Sequence, residues 1–314
     1  MEDIMKPIVD QLPKEQIIAE LTPDKLLRKT NNGSNEVYVF NAHNAPALMH
    51  EVGRIREITF RHAGGGTGKD CDLDEFDISG EVVFKQLLVW NPKEQEIIGG
   101  YRFIHGKDLP VLPDGQVDTP TSELFTLSER FVKDYLPTTI ELGRSFVQPA
   151  YQPSVDLRKG MYALDNIWNG LGAIVVQNPD VKYFFGKITM YPKFNVHARD
   201  LILYFMGKYF GDKDNLVYPK TPLKIKTHKE KLQALFTGDS FDKDYKLLVQ
   251  GVRMYKENIP PLVNAYMGLS ATMLSFGTSL NHHFGDVEET GILVTIDDIY
   301  DFKKDRHINV PKSK

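Results

Sequence analysis

In the segment TTIELGRSFVQPAYQ, residues 138–152, Glu141 and Arg144 stand three apart in a β-rich run that Pro149 and Pro153 then break. A carboxylate at such a position can take the proton of a reacting amine, and a guanidinium can hold a carboxylate or a phosphate. Odd spacing sends two side chains to opposite faces of a regular strand, so both serve one site only if a bulge intervenes. The order strand, acid–base pair, proline-broken loop, helix suggests a site at a strand end, where a thioester lies against exposed backbone. An edge-strand ion pair of small energetic weight is the competing reading. Spacing alone does not separate the two.

A second cluster is DLDEFD, with Asp72, Asp74, Glu75 and Asp77. Hard oxygen ligands could hold a divalent cation, but the EF-hand pattern of glycine and terminal glutamate is missing. A solvated acidic loop is one alternative, and carboxylates that organise nearby arginines are another. GGGTGK at 64–69 lacks the serine or threonine after Lys69 and follows a helix rather than a strand, which excludes a P-loop and leaves a flexible connector or lid. Cys71 stands among acids that raise a thiol's pKa and has no CxxC mate. The histidines show no zinc spacing. Trp168 and the aromatics of KYFFGKITMYPKF read as core.

The elements that must position these residues follow from periodicity. Two short helices, PKEQIIAEL and PDKLLRKT, open at prolines. A strand, EVYVFNA, comes next, then a helix from about residue 45 to Arg61 with apolar residues at Leu48, Val52 and Ile55. EVVFKQLLVW and IIGGYRFIHG form a hairpin around NPKEQE. A helix over TSELFTLSERFVKDY leads to the strand carrying Glu141 and Arg144. A helix over 160–177, the strand KYFFGKITMY and the helix HARDLILYFMGKYF follow. The stretch 213–250 is polar with helical segments. PPLVNAYMGLSATM is a further helix, and GILVTIDDI is a late strand. The spacing gives an α/β core over 35–212, a helical N-terminal extension over 1–34, and a helical extension over 213–314 whose late strand returns to the sheet.

Composition narrows the function. The 314 residues carry 38 basic and 42 acidic side chains, a net charge of −4, which argues against a nucleic-acid binder. One cysteine permits no intrachain disulfide and suits a reducing compartment. No basic and apolar leader opens the chain, and no apolar run is long enough to span a bilayer, so a cytoplasmic protein is expected. Between Lys182 and Lys231 stand eleven basic and four acidic residues, a local charge of +7. That window is either a solvated face or a dock for an acidic partner, a carrier protein or an anionic membrane surface.

IREITFR, DLDEFD, IIGGYRF and IELGRSFV, in that order, resemble the motifs of GNAT-fold N-acyltransferases that use long acyl chains. That group includes acyl-homoserine-lactone synthases and ornithine-lipid N-acyltransferases, some labelled hemolysin. The resemblance rests on Arg56 and Phe60 of the first long helix, on Asp74, Phe76 and Asp77, on Arg102 at a strand end, and on Glu141 and Arg144. It extends through ALDNIWNGLGA and PPLVNAYMGLSATM toward the branch that makes N-acyl amino acids, nearest to N-acyl glycine synthases. It implies a GNAT-like mixed, splayed central β-sheet flanked by helices. It also implies transfer of a long-chain 3-hydroxyacyl group from acyl carrier protein to an amino-acid amine, glycine before ornithine, giving a lipid or its precursor. The chain departs from acetyl-CoA-using members in QPAYQPSVDLRKG, which lacks their G-x-G pair. This favours the acyl-phosphopantetheine of a carrier protein over acyl-CoA, with no tightly bound cofactor and no metal.

On that resemblance Glu141 is the base, Arg102 or Arg144 holds the acceptor carboxylate, and Arg56 braces Asp74 and Asp77. The amides of Phe146, Val147 and Gln148 pair with the pantetheine arm and meet the oxyanion. Arg158 and Lys159 receive the carrier phosphate. A lipid product makes peripheral contact with the inner face of the membrane compatible with these assignments. A non-enzymatic lipid-binding protein is the alternative of a different class, but no strongly basic amphipathic helix with aromatic anchors supports it.

Overall fold

The computed structural model describes residues 5–309. The first four residues, which open the acidic N-terminal stretch, and the last five lie outside the described residues. In chain order the strands are β1 (Leu26–Lys29), β2 (Glu36–Phe40), β3 (Lys85–Asn91), β4 (Glu96–His105), β5 (Phe125–Leu127), β6 (Thr139–Val147), β7 (Tyr183–Met190), β8 (Val217–Pro219), β9 (Leu274–Asn281) and β10 (Val287–Thr295). The helices are α1 (Lys14–Glu20), α2 (Pro46–Ala63), α3 (Glu75–Ile78), α4 (Leu157–Gly160), α5 (Ala163–Gln177), α6 (Val196–Phe210), α7 (Lys229–Leu235), α8 (Phe241–Met254), α9 (Pro261–Met267) and α10 (Asp301–His307). The α/β class is as expected.

The chain forms two compact units. The first comprises the chain up to Leu109, Ile140–Val181 and the part from Asp301 on. Its strands run in the order β1-β2-β3-β4-β6, each pair antiparallel. Helix α5 covers one face of this sheet, its Gly170 closing on Leu87 and Val37. Gln86 and Arg102, which face each other across β3 and β4, point to the opposite face. Helix α2 starts with Pro46 in its first turn and stops at Gly64, whose φ of 96° is a left-handed cap. Its apolar stripe, Leu48, Val52, Ile55 and Phe60, is buried.

In the second unit, Pro110–Thr139 and Lys182–Tyr300, β10 lies between β7 and β9, antiparallel to both. β5 and β8 make a separate pair. Helices α6 and α8 pack through aromatic rings, Phe205 and Phe241 lying 5.4 Å apart.

Three elements differ from the sequence expectation. PDKLLRKT is strand β1 rather than a helix, because the turn after it folds it back onto β2, with Lys29 opposite Glu36. TSELFTLSERFVKDY divides into β5 and a π-turn over Phe131–Tyr135. The helix expected over 260–273 stops at Met267, and β9 follows it. β9 escapes an apolar-period search because most of its buried residues, Phe276 apart, are polar, and Thr278 and Asn281 find partners on β10. Thr278 shares a 2.7 Å hydroxyl hydrogen bond with Thr290, and the Asn281 amide donates to Glu289 at 3.3 Å.

Candidate functional site

The site-forming residues of the first unit begin on α2. Arg56 is fully buried. Its Nε donates to Asp72 at 2.9 Å, and its Nη2 donates to Asp77 at 2.9 Å. Asp72 can come this close because α2 carries Gly53 one turn earlier. A Cβ there would lie 2.7 Å from the Cys71 sulfur and 2.8 Å from Leu73, and the Asp72 amide donates to the Gly53 carbonyl at 3.1 Å. The acidic run therefore lies against the helix backbone. Asp74 then caps α3 in a reciprocal pair with Asp77.

Strand β4 brings Arg102 up from the sheet. Its Nη1 donates to both Asp74 oxygens, at 2.8 and 2.7 Å, and to Asp77 at 3.2 Å, while its guanidinium lies 5.1 Å over the Phe84 ring. Gln86 adds a 3.1 Å donor to Asp77. Strand β6 supplies Arg144, whose Nε lies 2.9 Å from Asp72 and whose Nη2 lies 3.7 Å from Asp74. Three arginines thus balance three aspartates, with no net charge left over.

Burial opposes the charge on Asp77, but Arg56 and then Arg102 outweigh it and hold the carboxyl well below the usual range. Asp72 is likewise held low, by Arg144 and Arg56 against burial. Burial, then Asp72, pushes the Cys71 thiol up to about 12, which leaves it a poor nucleophile.

A buried set of ion pairs is a weak source of stability, because desolvation offsets most of the attraction. What this one provides is a gradient of exposure. Arg56, Asp72 and Asp77 are fully buried, whereas the Arg144 and Asp74 side chains are 16% and 23% exposed. The closed end is held rigidly by its neighbours, and the open end reaches solvent.

Strand β6 resolves the facing problem of Glu141 and Arg144. Gly143 pairs with Arg102 and Phe146 with Gly100, so three steps on β6 match two on β4. The extra residue is a bulge, and Arg144 within it has φ of 48°, a left-handed conformation costly for an arginine. Glu141 pairs with Ile104, which puts it on the Arg102 face. The bulge turns Arg144 to that face as well, where it meets Asp72. Glu141 is buried.

Of the three amides assigned to a thioester, that of Gln148 donates to the Ile98 carbonyl at 3.0 Å, so it is already used within the sheet. Backbone alternation points the Phe146 amide the same way and the Val147 amide away from β4. The Val147 carbonyl accepts from Gln152 Nε2 at 2.8 Å. Arg158 and Lys159 are exposed on α4. Their own amides donate to Asp156 at 2.9 and 3.0 Å, so only their side chains can meet a phosphate. Phe60 lies one turn beyond Arg56, in the core.

Two expectations need correction. Arg56 braces Asp72 and Asp77 rather than Asp74, which instead accepts from Arg102. The glycine-rich loop is no free lid. Buried Glu57 accepts from the Thr67 amide at 3.1 Å, the Thr67 hydroxyl at 2.8 Å and the Gly68 amide at 2.9 Å. Sequence reasoning left Asp72 and Gln86 out of the site. Asp72 was visible as the first acid of DLDEFD, but nothing local marked it as the one reaching two arginines. Gln86 gave no signal.

The model of the Acetyltransferase (GNAT) domain matches residues 55–158, the span from α2 to α4. A glycine N(α)-acyltransferase of Phocaeicola vulgatus is 53% identical over 308 residues, 98% of this chain and 93% of the relative. A glycine N(α)-acyltransferase of Bacteroides thetaiotaomicron is 52% identical over 308 residues, 98% of this chain and 90% of the relative. Among solved structures, the AHL synthase LasI aligns at a TM-score of 0.41 and 11% identity, covering 89% of this chain and 98% of LasI.

Proposed function

The chain belongs to the glycine N(α)-acyltransferase family, and on that premise we propose that it moves a long-chain acyl group from a carrier-protein thioester to glycine, giving an N-acyl glycine that serves as a lipid or its precursor. That it is a GNAT-fold acyltransferase, taking an acyl donor and an amino-acid acceptor, follows from relatives above 50% identity over nearly the whole chain. The finer assignment rests on the site. The observation that carries it is the bulged strand β6, which gathers a base, Glu141, and two arginines on one face.

The acceptor enters as an ammonium and must lose a proton before it attacks. Glu141 takes that proton, directly or through water. The amine nitrogen then bonds to the thioester carbonyl carbon, and the oxygen gathers negative charge. The Val147 amide, pointing off β4, donates to that oxygen, a contribution of about 3 kcal/mol in comparable sites. The nitrogen of the tetrahedral species loses its second proton to solvent water; as the species collapses the C–S bond breaks, and Glu141 returns the first proton to the departing thiolate. Arg102 and Arg144 hold the acceptor's carboxylate, with Arg56, Asp72 and Asp77 fixing their positions. Asp74 and Phe60 complete the wall. The pantetheine arm runs beside Phe146 and Val147 as an added strand. Arg158 and Lys159 meet the carrier phosphate, and no tightly bound cofactor takes part. We place the acyltransferase core at 35–212, between extensions at 1–34 and 213–314.

A carrier thioester is favoured over acyl-CoA as the donor; supporting it, the first-turn amides of α4 at Arg158 and Lys159 already donate to Asp156 and are not free to cradle a pyrophosphate. Among the described residues no helix is long and apolar enough to cross a membrane. The site works from the cytoplasm, with peripheral contact at the inner leaflet where the product is delivered.

The test is direct. Purified protein is given glycine, or ornithine, with a 3-hydroxyacyl group carried either on acyl carrier protein or on CoA, and products are identified by mass spectrometry. N-acyl glycine formed faster from the carrier is expected. Amide formation on ornithine alone would move the acceptor, and no amide with any amino acid would overturn the assignment.

A further inference from the structure

Arg102 carries the one buried guanidinium N–H among the described residues with no hydrogen-bond partner. Its Nη1 is engaged with Asp74 and Asp77, but its Nε meets no acceptor although the side chain is only 2% exposed. Buried donors are nearly always satisfied, so an orphan on a cation is a place to look for an absent anion.

The residue across the ladder from Arg102 is Gly143. A glycine inside a strand usually answers to the backbone, and here neither backbone reason holds. Gly143 is not among the glycines with positive φ, so an L-residue could adopt its conformation. Nor does another strand press on it. A Cβ on Gly99 or Gly100 would meet backbone oxygens at 2.3 and 2.2 Å, whereas the three atoms nearest a Cβ on Gly143 all belong to Arg102. They are Nε at 3.3 Å, Cγ at 3.5 Å and Cδ at 4.0 Å. What the missing Cβ leaves is a gap of one side-chain carbon between the Gly143 backbone and the orphan N–H. It lies on the Glu141 face, two residues along the strand, beside the partly exposed Arg144.

We propose that this space is the seat of the acceptor's carboxylate and that Gly143 is the specificity-determining residue that admits it. One carboxylate oxygen accepts from Arg102 Nε, and the other faces the Arg144 guanidinium. A two-residue step along a strand is about 6.6 Å, so a short α-amino acid anchored there presents its amine toward Glu141. The acceptor class is then amines bearing an α-carboxylate; amines without one lose the anchor. The proposal rests on the acceptor site of the acyltransferase being this face of β6.

The experiment compares glycine with glycinamide, in wild type and in Gly143→Ala, using the acyl carrier thioester as donor. In wild type glycine is the better acceptor. The added methyl covers the N–H, so the ratio of kcat/KM for glycine over glycinamide falls at least tenfold, mostly through KM for glycine. A merely structural role would lower both acceptors alike and leave the ratio unchanged, which would overturn the proposal. Should the variant not fold, inhibition of wild type decides. Competition against glycine by propionate and not by propylamine supports the seat; equal effects of the two remove it. If wild type acylates no amino acid, the assigned reaction fails first, and that result is read before any variant is made.

Discussion

Glu141, Arg144 and Arg102 do different work despite lying within one small area of sheet. Glu141 needs to accept a proton and release it, whereas the arginines need only stay charged, which the aspartates beside them ensure. In Arg102, Asp77 and Asp74 outweigh burial and raise the guanidinium further above its ordinary value. Glu141→Gln keeps the shape and removes the base. Turnover should fall about a hundredfold or more with an unchanged melting temperature, measured on the same preparation. Unchanged turnover would take the base role from Glu141. Its type and spacing were plain in the sequence, but the bulge that turns Arg144 to the same face was not. It depends on a mismatch of three residues against two across a hydrogen-bonded ladder, and neither strand alone carries it.

Among the elements, the last helix shows how much of the first unit depends on side-chain detail. Helix α10 docks on α5 where Gly172 leaves room; a Cβ there would lie 2.0 Å from the His307 carbonyl oxygen. The His307 ring is buried between Asn169, whose amide lies 3.0 Å from Nδ1, and Asp165, 3.7 Å from Nε2. A protonated ring would turn an N–H toward the Asn169 amide. Burial lowers the pKa to about 4, and Asp165 only partly opposes it. The unfolded chain then binds more protons than the folded one between about 4 and the ordinary 6.5. Stability is full above pH 6.5 and declines as pH falls toward about 4. Urea midpoints followed over that window should drop in wild type and stay flatter in His307→Asn. Parallel curves would show that the ring does not titrate on unfolding. Periodicity had located α5 but not α10, which is short and polar outside and owes its place to this contact.

At the scale of the molecule, the basic window from Lys182 to Lys231 belongs to the second unit. Not all of its charge is available. Lys187 pairs with Glu289 at 3.1 Å, Arg199 pairs with Asp200 at 2.6 Å, and Lys208 donates to the Phe236 carbonyl at 2.8 Å. Lys224, Lys226, Lys229 and Lys231 remain exposed. If they dock the acidic carrier, reversing Lys224 and Lys229 to glutamate should raise KM for the carrier thioester about tenfold and flatten its salt dependence. KM for glycine is the internal control. A KM for the carrier that ignores both changes would put the dock elsewhere.

The available chemistry was legible in the order of residues: an α/β chain with Glu141, three arginines and an acidic run arranged as in GNAT-fold acyltransferases. Side-chain type and local period are short-range properties, and they were readable. Which acid meets which arginine became visible in the fold alone, since Asp72 and Arg144 are 72 residues apart and meet at 2.9 Å. The fold also decided that polar β9 is a strand, because its buried hydroxyls and amides find partners on β10. The same holds for the orphan N–H of Arg102, which faces a glycine of the next strand. Pairing, burial and vacancy are relations between distant segments, and no single segment encodes them.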